Sequence, residues 1–130
     1  MTVALERIFN LTPHAVVIKP NDKSTIRYGP SGVVCRLVGS SVQIENADLT
    51  LKYEVPIYSA PVLDKVVGLP QDKTTTIIVS QMVAEFMANS DYHKSYDGDI
   101  LYPDTGPDSV IRNEKGEIEA VKRLCTYKPK

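Results

Sequence analysis

The sequence contains no tryptophan, only two cysteines and only two histidines in 130 residues. Cys35 and Cys125 stand far apart, which is typical of two buried thiols in a reducing compartment rather than of a disulfide. Neither cysteine, nor His14 or His93, stands at a zinc-ligand spacing such as C-x-x-C. The pattern of a calcium-binding loop is also missing. The sequence therefore predicts neither a metal site nor a cofactor.

Long apolar runs and an excess of positive charge are missing too. No segment approaches the roughly 20 apolar residues that a membrane-spanning helix needs. Charges at residues 6 and 7 interrupt the first apolar stretch, which argues against a signal peptide. The formal net charge is -1, whereas proteins that coat DNA or RNA usually carry a basic excess. We therefore expect a cytoplasmic protein that binds neither a membrane nor a nucleic-acid polymer.

The chain consists of short segments separated by nine prolines and seven glycines. Its length fits a single domain over residues 1–130. Most segments have the composition of strands, and we predict these at residues 14–19, 25–28, 33–38, 74–79, 100–102, 110–112 and 118–124. Because tight turns separate many of them, we expect an α+β fold: a mostly antiparallel β-sheet of short hairpins with one main α-helix at about residues 80–90.

Two further segments complete the predicted sheet. Residues 48–57 alternate strictly between apolar and polar side chains, which predicts a strand with one buried and one exposed face. Pro56 stands on the polar side near the end of this strand, so an edge position is favoured. Residues 60–67 fit helical spacing as well, but their length favours a strand. The apolar run at 33–38 suits a central strand.

The main helix is predicted from an N-terminal capping residue and from a stripe of apolar side chains along one face. Ser80 is a suitable N-cap, because its hydroxyl can accept a hydrogen bond from a free N–H group of the first turn. Apolar side chains then recur at the spacing of one helical face, at Val79, Met82, Val83, Phe86 and Met87. A helix this short is marginal alone, so the stripe must be buried. Met82 and Phe86 are interpreted as core or a dimer seam, or alternatively as a platform for a nucleobase.

No pattern of an enzyme is present. The sequence has no G-x-S-x-G elbow and no nucleophile signature around either cysteine. Carboxylates at positions 97, 99, 104 and 108 are close in sequence, but they are typical of solvated turns. We therefore predict no catalytic residues and a protein that binds a small molecule rather than transforms it.

The best candidate for a ligand site is the loop at residues 104–109. Thr105 and Ser109 offer hydroxyls, Gly106 allows the backbone to approach a ligand closely, and Arg112 follows on the next strand. Such a loop can hold a phosphate through N–H groups and a bidentate guanidinium. Asp104 belongs to the same loop and would repel a phosphate unless it caps the turn or bonds a ribose hydroxyl. Arg27 and Arg36 are further candidates for an anion.

Three stretches together resemble a known family: NLTPH at 10–14, GLP at 68–70 with TIIVSQMVA at 76–84, and PDTGPDSVIRN at 103–113. They are similar to the first family of phage and prophage Thoeris anti-defence sponges. The resemblance implies a protein that binds, without cleaving it, a cyclic ADP-ribose isomer made by a TIR-domain defence enzyme. It also implies a homodimer or higher oligomer with the ligand near subunit interfaces, and in some members binding of cyclic oligonucleotides at a second site.

Two other functions stay open at this stage. One is a small-nucleotide hydrolase that uses His14 or His93 with nearby aspartates. The other is a phage accessory module that binds another protein. The predicted edge strand at 48–57 is the observation that supports it. Under the binding hypothesis, the expected ligand contacts are Met82, Phe86, Asp104, Thr105, Gly106, Ser109 and Arg112.

Overall fold

A computed structural model describes residues 8–127, so the signal-peptide interpretation of the first seven residues lies outside it. The described residues form ten strands and three helices. In chain order these are β1 (Ile8–Asn10), β2 (Val16–Asn21), β3 (Ser24–Tyr28), β4 (Arg36–Ser40), α1 (Ala47–Tyr53), β5 (Val62–Val67), β6 (Thr76–Ile78), α2 (Gln81–Ala88), α3 (Tyr92–Ser95), β7 (Ile100–Pro103), β8 (Val110–Arg112), β9 (Ile118–Val121) and β10 (Leu124–Cys125). The fold is of mixed α and β structure, and strands predominate.

The strands form three small sheets. One has the order β1-β6-β7-β10, the second has the order β3-β2-β9-β8, and β4 and β5 form a two-stranded ribbon. The expectation of a mostly antiparallel sheet is corrected, because β1–β6, β6–β7 and β2–β9 are parallel pairs. Each parallel pair joins strands that a helix or a long connection separates. Of the antiparallel pairs, β2–β3 and β8–β9 are local hairpins, whereas β4–β5 and β7–β10 join strands that lie further apart in the sequence. The hairpins β2–β3 and β8–β9 fall where the turn residues predict them.

Strand β6 lies at the centre of the packing. Ile77 and Ile78 are completely buried, and consecutive residues of a strand point to opposite faces. Ile77 packs with Val83 and Met87 of α2, and Ile78 packs with Ile18 of the second sheet. The first sheet is thus covered by α2 on one face and by the second sheet on the other. Burial of each such side chain stabilises the fold by roughly 1.5–3 kcal/mol.

The loop between α3 and β7 packs closely against the backbone just before β6. A Cβ on Gly98 would lie 2.2 Å from the carbonyl oxygen of Thr75, so only glycine fits there. The Tyr96 hydroxyl donates a hydrogen bond to the same carbonyl, and burial is the main cause that raises the pKa of Tyr96 to about 12. Next to it, the buried Thr76 hydroxyl has no hydrogen-bond partner among the described residues.

The predicted edge strand at 48–57 is wrong. Residues 47–53 form α1 instead, and the Asn46 side chain accepts a hydrogen bond from the Leu49 N–H at 3.2 Å. The helix ends where Glu54 adopts a positive φ of 57°. Leu51 is 77% exposed, so the alternating apolar side chains are not buried on a sheet, and local capping decides the conformation.

Two other predictions need correction. The run at 33–38 is not a central strand: β4 begins at Arg36 and pairs only with β5. A single main helix is not distinct either, since α1 and α2 have seven and eight residues. The strand interpretation of 60–67 agrees with β5. Within residues 8–127, no helix is both long enough and apolar enough to cross a membrane.

Candidate functional site

The turn before β2 is held by one buried asparagine. Asn10 is 2% exposed, and its Nδ2 donates to the carbonyl oxygens of His14 at 2.8 Å and Tyr28 at 2.9 Å. Its Oδ1 accepts the Thr12 backbone N–H at 3.0 Å and the Thr12 hydroxyl at 2.6 Å. One side chain therefore makes four hydrogen bonds. They fix the turn so that Pro13 and His14 are presented at the surface.

The N-terminus of α2 lies beside this turn. Ser80 caps the helix as predicted, and its hydroxyl oxygen accepts the Val83 N–H at 3.3 Å. The predicted stripe is only partly buried, because Met82 is 66% exposed and Phe86 is half-buried. Ala84, which the stripe left out, is buried instead. The exposed Met82 side chain is therefore accessible to a ligand or a partner rather than part of the core.

The loop at residues 103–109 is folded by its own hydrogen bonds. Asp104 Oδ1 accepts the Gly106 N–H at 2.9 Å, and Asp104 Oδ2 pairs with Arg123 Nε at 2.6 Å. The Gly106 N–H and then Arg123 hold the pKa of Asp104 below its usual range. Ser109 is completely buried, and its hydroxyl accepts the Lys122 N–H at 3.0 Å. Asp104 thus caps the turn and its charge is paired with Arg123. Capping is one of the two roles in which Asp104 was expected not to repel a phosphate.

Two adjoining clefts lie where these segments meet. The first cleft has a volume of about 360 Å³, and its polar lining includes Thr12, Ser80, Gln81 and Thr105. The second cleft, of about 280 Å³, shares Thr12, Pro13 and Ser80 with the first and adds Cys35, Arg36, Leu37 and Met82. A ridge of three shared residues therefore separates two recesses on one continuous surface. A third recess continues from Leu37 and Met82 to Phe86.

The predicted contact residues are distributed unevenly around these clefts. Thr105 lines the first cleft, and Met82 lines the second. Asp104, Gly106 and Ser109 stay within the loop behind them. Arg112 lines neither cleft, because its Nη1 donates to the Gly116 carbonyl at 2.6 Å in the β8–β9 turn. The proposed phosphate loop with Arg112 at its exit is therefore not assembled as one cradle in this chain.

Arg36 stands closer to the clefts than Arg112 does. It is exposed, it lines the second cleft, and it makes no ion pair with any residue between 8 and 127. Its guanidinium is thus free to form bidentate bonds with a phosphate. The sequence analysis named Arg36 only as one of several candidate arginines. No pattern of neighbouring residues indicates that β4 lies beside the Asn10 turn.

An aromatic pair next to the first cleft was missed by the sequence analysis. The rings of Tyr102 and Tyr127 stack with centroids 5.0 Å apart and an interplanar angle of 22°. Gln81, which lines the first cleft, donates from Nε2 to the Tyr127 hydroxyl at 3.2 Å. Partial burial and then the Tyr127 hydroxyl raise the pKa of Tyr102 to about 12. The pairing of β7 with β10 brings these tyrosines together, and no local signal could have indicated it.

The groups considered for catalysis or metal binding are separated. His93 Nδ1 lies 2.6 Å from the Ser90 carbonyl, within the α2–α3 corner, whereas His14 lines the first cleft together with Glu119. Burial raises the pKa of the Cys35 thiol to about 11, so it stays protonated near neutral pH. The structure places no group of three potential metal ligands together anywhere in residues 8–127.

Comparisons with protein-family models, with curated proteins and with solved structures found no significant match.

Proposed function

We propose that this chain binds a cyclic ADP-ribose isomer made by a TIR-domain defence enzyme and sequesters it without cleavage, as a phage-type anti-defence protein. One observation carries the proposal. The three stretches that resemble the sponge family are far apart in the sequence, yet Thr12, Ser80 and Thr105 from all three line the same cleft. Convergence of separate stretches on one recess is expected when they share a ligand.

The chemistry of the two clefts suits such a ligand. Its pyrophosphate requires a cation, which Arg36 offers in the second cleft. Its riboses require small donors and acceptors, which Thr12, Gln81 and Thr105 offer in the first. The adenine needs an apolar or aromatic platform, and exposed Met82 is available for it. The first cleft alone has the size of small ligand sites, which start at about 300 Å³, and the second adjoins it.

Self-association is part of the proposal. Between β4 and β5 the chain extends into an arm, residues 41–61, that packs little on the core. Large apolar side chains are exposed along it, at Val42, Ile44, Leu51, Tyr53, Val55 and Tyr58. Exposed apolar surface of this extent is typical of an interface. We expect a homodimer or higher oligomer through the arm. Leu51→Glu should shift the mass in light scattering toward the monomer, whereas Val33→Glu, at an exposed apolar residue outside the arm, should not.

The binding proposal is tested by recovery of the ligand. Purified protein is incubated with the products of an NAD-consuming TIR enzyme, free small molecules are filtered out, and the denatured protein is examined by mass spectrometry. Recovery of an intact cyclic ADP-ribose isomer is expected. Arg36→Ala should reduce the amount recovered by at least about tenfold, the loss typical of one charged pair on a ligand.

Arg112→Ala is the matched control. If Arg112→Ala rather than Arg36→Ala abolishes recovery, the ligand lies at the 104–112 loop as the sequence predicted. If the wild-type protein releases no nucleotide and leaves the signal undepleted, the proposal is refuted. In all arms the same filtration of bovine serum albumin measures carry-over.

Hydrolysis is the second candidate, and one observation favours it: an imidazole and a carboxyl group, those of His14 and Glu119, line the same cleft. Chromatography of the ligand before and after incubation separates the two functions. Loss of the cyclic isomer that His14→Gln prevents would establish hydrolysis, and a constant amount would exclude it. The accessory-module hypothesis loses its edge strand at 48–57, but the exposed arm gives it a different surface.

A further inference from the structure

The two adjoining clefts differ in the charge of their linings. Among residues 8–127, and with histidine counted as neutral, the first cleft is lined by one negative charge, that of Glu119, and by no arginine or lysine. In the same part of the chain, the second cleft is lined by one positive charge, that of Arg36, and by no carboxylate. We infer that the first cleft selects the uncharged nucleoside end of the ligand, through acceptor atoms that bind ribose hydroxyls, and excludes a phosphate. The inference deepens the function proposed above and rests on it.

Gln81 offers the first of these acceptor atoms. It is the first residue of α2, directly after the capping Ser80, and it lines the first cleft. Its Nε2 donates to the Tyr127 hydroxyl at 3.2 Å, which leaves Oε1 as the polar side-chain atom that has no partner among residues 8–127. An amide oxygen accepts hydrogen bonds and cannot donate them. A ligand group that bonds to this oxygen therefore has to be a donor.

The direction of the Gln81 amide is set by an aromatic stack. Tyr127 stacks on Tyr102 with ring centroids 5.0 Å apart, and Tyr102 belongs to β7, where it is the register partner of Cys125 in β10. The strand pairing thus fixes the Tyr127 hydroxyl, and the hydroxyl fixes the amide nitrogen. Tyr127 does not line the first cleft. It is therefore a positioning residue, because it acts on the ligand through Gln81.

Two further side chains of the lining offer acceptors. The Thr12 hydroxyl already donates its proton to Asn10 Oδ1 at 2.6 Å, so its lone pairs are what it offers to a ligand. Glu119 belongs to β9 and is exposed, and an ionised carboxylate only accepts. Ser80 and Thr105 add hydroxyls, which accept or donate. Ribose hydroxyls satisfy these groups, whereas a phosphate brings three more acceptor oxygens and a negative charge that Glu119 repels.

The test uses adenosine as the uncharged probe and adenosine 2′-monophosphate as its anionic counterpart, in amide chemical-shift titrations of the intact chain. Adenosine should give saturable shifts at the Gln81 side-chain amide and at Thr105. The added phosphate should raise the dissociation constant by about tenfold, the order expected for like charges at close range. Glu119→Gln should remove most of this difference. Glu114→Gln makes the same charge change in the exposed turn after β8 and should preserve the difference.

Tyr127→Phe keeps the ring stack and removes the hydroxyl alone, so it tests the positioning role. Tyr127→Phe and Gln81→Met should each raise the dissociation constant of adenosine by about fivefold, in the range of one hydrogen bond. Gln71→Met, at an exposed glutamine outside the clefts, is the matched control. In the Gln81→Met background, Tyr127→Phe should have no further effect, because its influence passes through the amide. A merely structural role of Tyr127 would give the same loss in both backgrounds.

The inference is overturned if adenosine gives no saturable shifts, if both probes bind equally well, or if the losses caused by Tyr127→Phe and Gln81→Met add. Amide spectra recorded without a probe verify that each variant is folded. Neither probe is a product of a TIR-domain enzyme, so the outcome separates this inference from the function proposed above. Recovery of an intact cyclic isomer together with equal binding of the two probes would reject the acceptor subsite alone.

Discussion

The four hydrogen bonds of Asn10 allow a quantitative test of how the ligand-facing turn is held. Asn10→Ala removes all four and takes the Asn10 donor from the Tyr28 carbonyl, while the His14 carbonyl keeps the Thr12 hydroxyl at 2.9 Å. At about 1 kcal/mol for each net hydrogen bond, the expected loss in the free energy of unfolding is about 3–4 kcal/mol. Because the whole stability of a small domain is about 5–15 kcal/mol, this change should lower the denaturation midpoint strongly.

Asn113→Ala is the control for this substitution. Asn113 Oδ1 also accepts two backbone N–H groups, those of Lys115 and Glu117, at 2.9 and 3.1 Å. It lies in an exposed turn, so water replaces the lost bonds, and we expect a loss of about 1 kcal/mol or less. Urea denaturation followed by circular dichroism measures both losses. Equal losses for the two alanine variants would refute the argument that burial makes the Asn10 bonds valuable.

Asn10→Asp adds a dependence on pH whose sign follows from the geometry. The oxygen that replaces Nδ2 would face the carbonyl oxygens of His14 and Tyr28, so the folded state favours the protonated acid and its pKa rises above the unfolded value of about 3.9. Between these two pKa values the folded state binds more protons than the unfolded state. Stability must therefore fall as pH rises above about 4. A stability of Asn10→Asp that is constant from pH 4 to 7 would contradict the assigned donors.

Three other expectations concern single positions. Gly98→Ala should destabilise the protein by about 1–3 kcal/mol, the usual cost of overpacking, whereas Gly106→Ala should be tolerated because its Cβ would meet only a side-chain oxygen at 3.1 Å; thermal melts of both variants compare them. Thr76→Val should raise the unfolding free energy by about 1 kcal/mol, since it removes a buried hydroxyl that has no partner, and a loss would show that the hydroxyl is bonded. Asp104 should titrate below the usual carboxyl range in a carbon-detected NMR titration, since the Gly106 N–H and its ion pair favour the charged form; this stabilisation is present above about pH 4 and lost as pH falls through the folded pKa.

The sequence was informative wherever structure depends on neighbours along the chain. The cap at Ser80, the β2–β3 and β8–β9 hairpins and the strand at β5 all follow from residues within a few positions of one another. The error at 47–53 has a physical cause as well. Alternation indicates a strand only where one face is buried, and with Leu51 largely exposed the Asn46 cap determines the conformation.

The candidate site could be predicted only in part for the same reason. Thr105 and Met82 do line the clefts. They could be predicted because a loop and a helix face are both indicated by residues close together in the sequence. Arg36 and the Tyr102–Tyr127 stack reach the site through strand pairings between distant segments, which single-sequence patterns do not indicate. The use of Arg112 in its own hairpin turn was equally invisible, since it depends on the conformation of Gly116.

The parallel pairing of β2 with β9 has a consequence for how the chain folds during synthesis. On a ribosome, β2 and β3 emerge early and can form their hairpin at once, but β2 lacks its second neighbour until residue 121 has been made. Contacts between such distant segments make folding slow, and until then Val16 and Ile18 lack Val121, which completes their buried cluster. We expect nascent chains arrested before β9 to be sensitive to protease throughout and to depend on chaperones, while release of the whole chain brings protection in a single step.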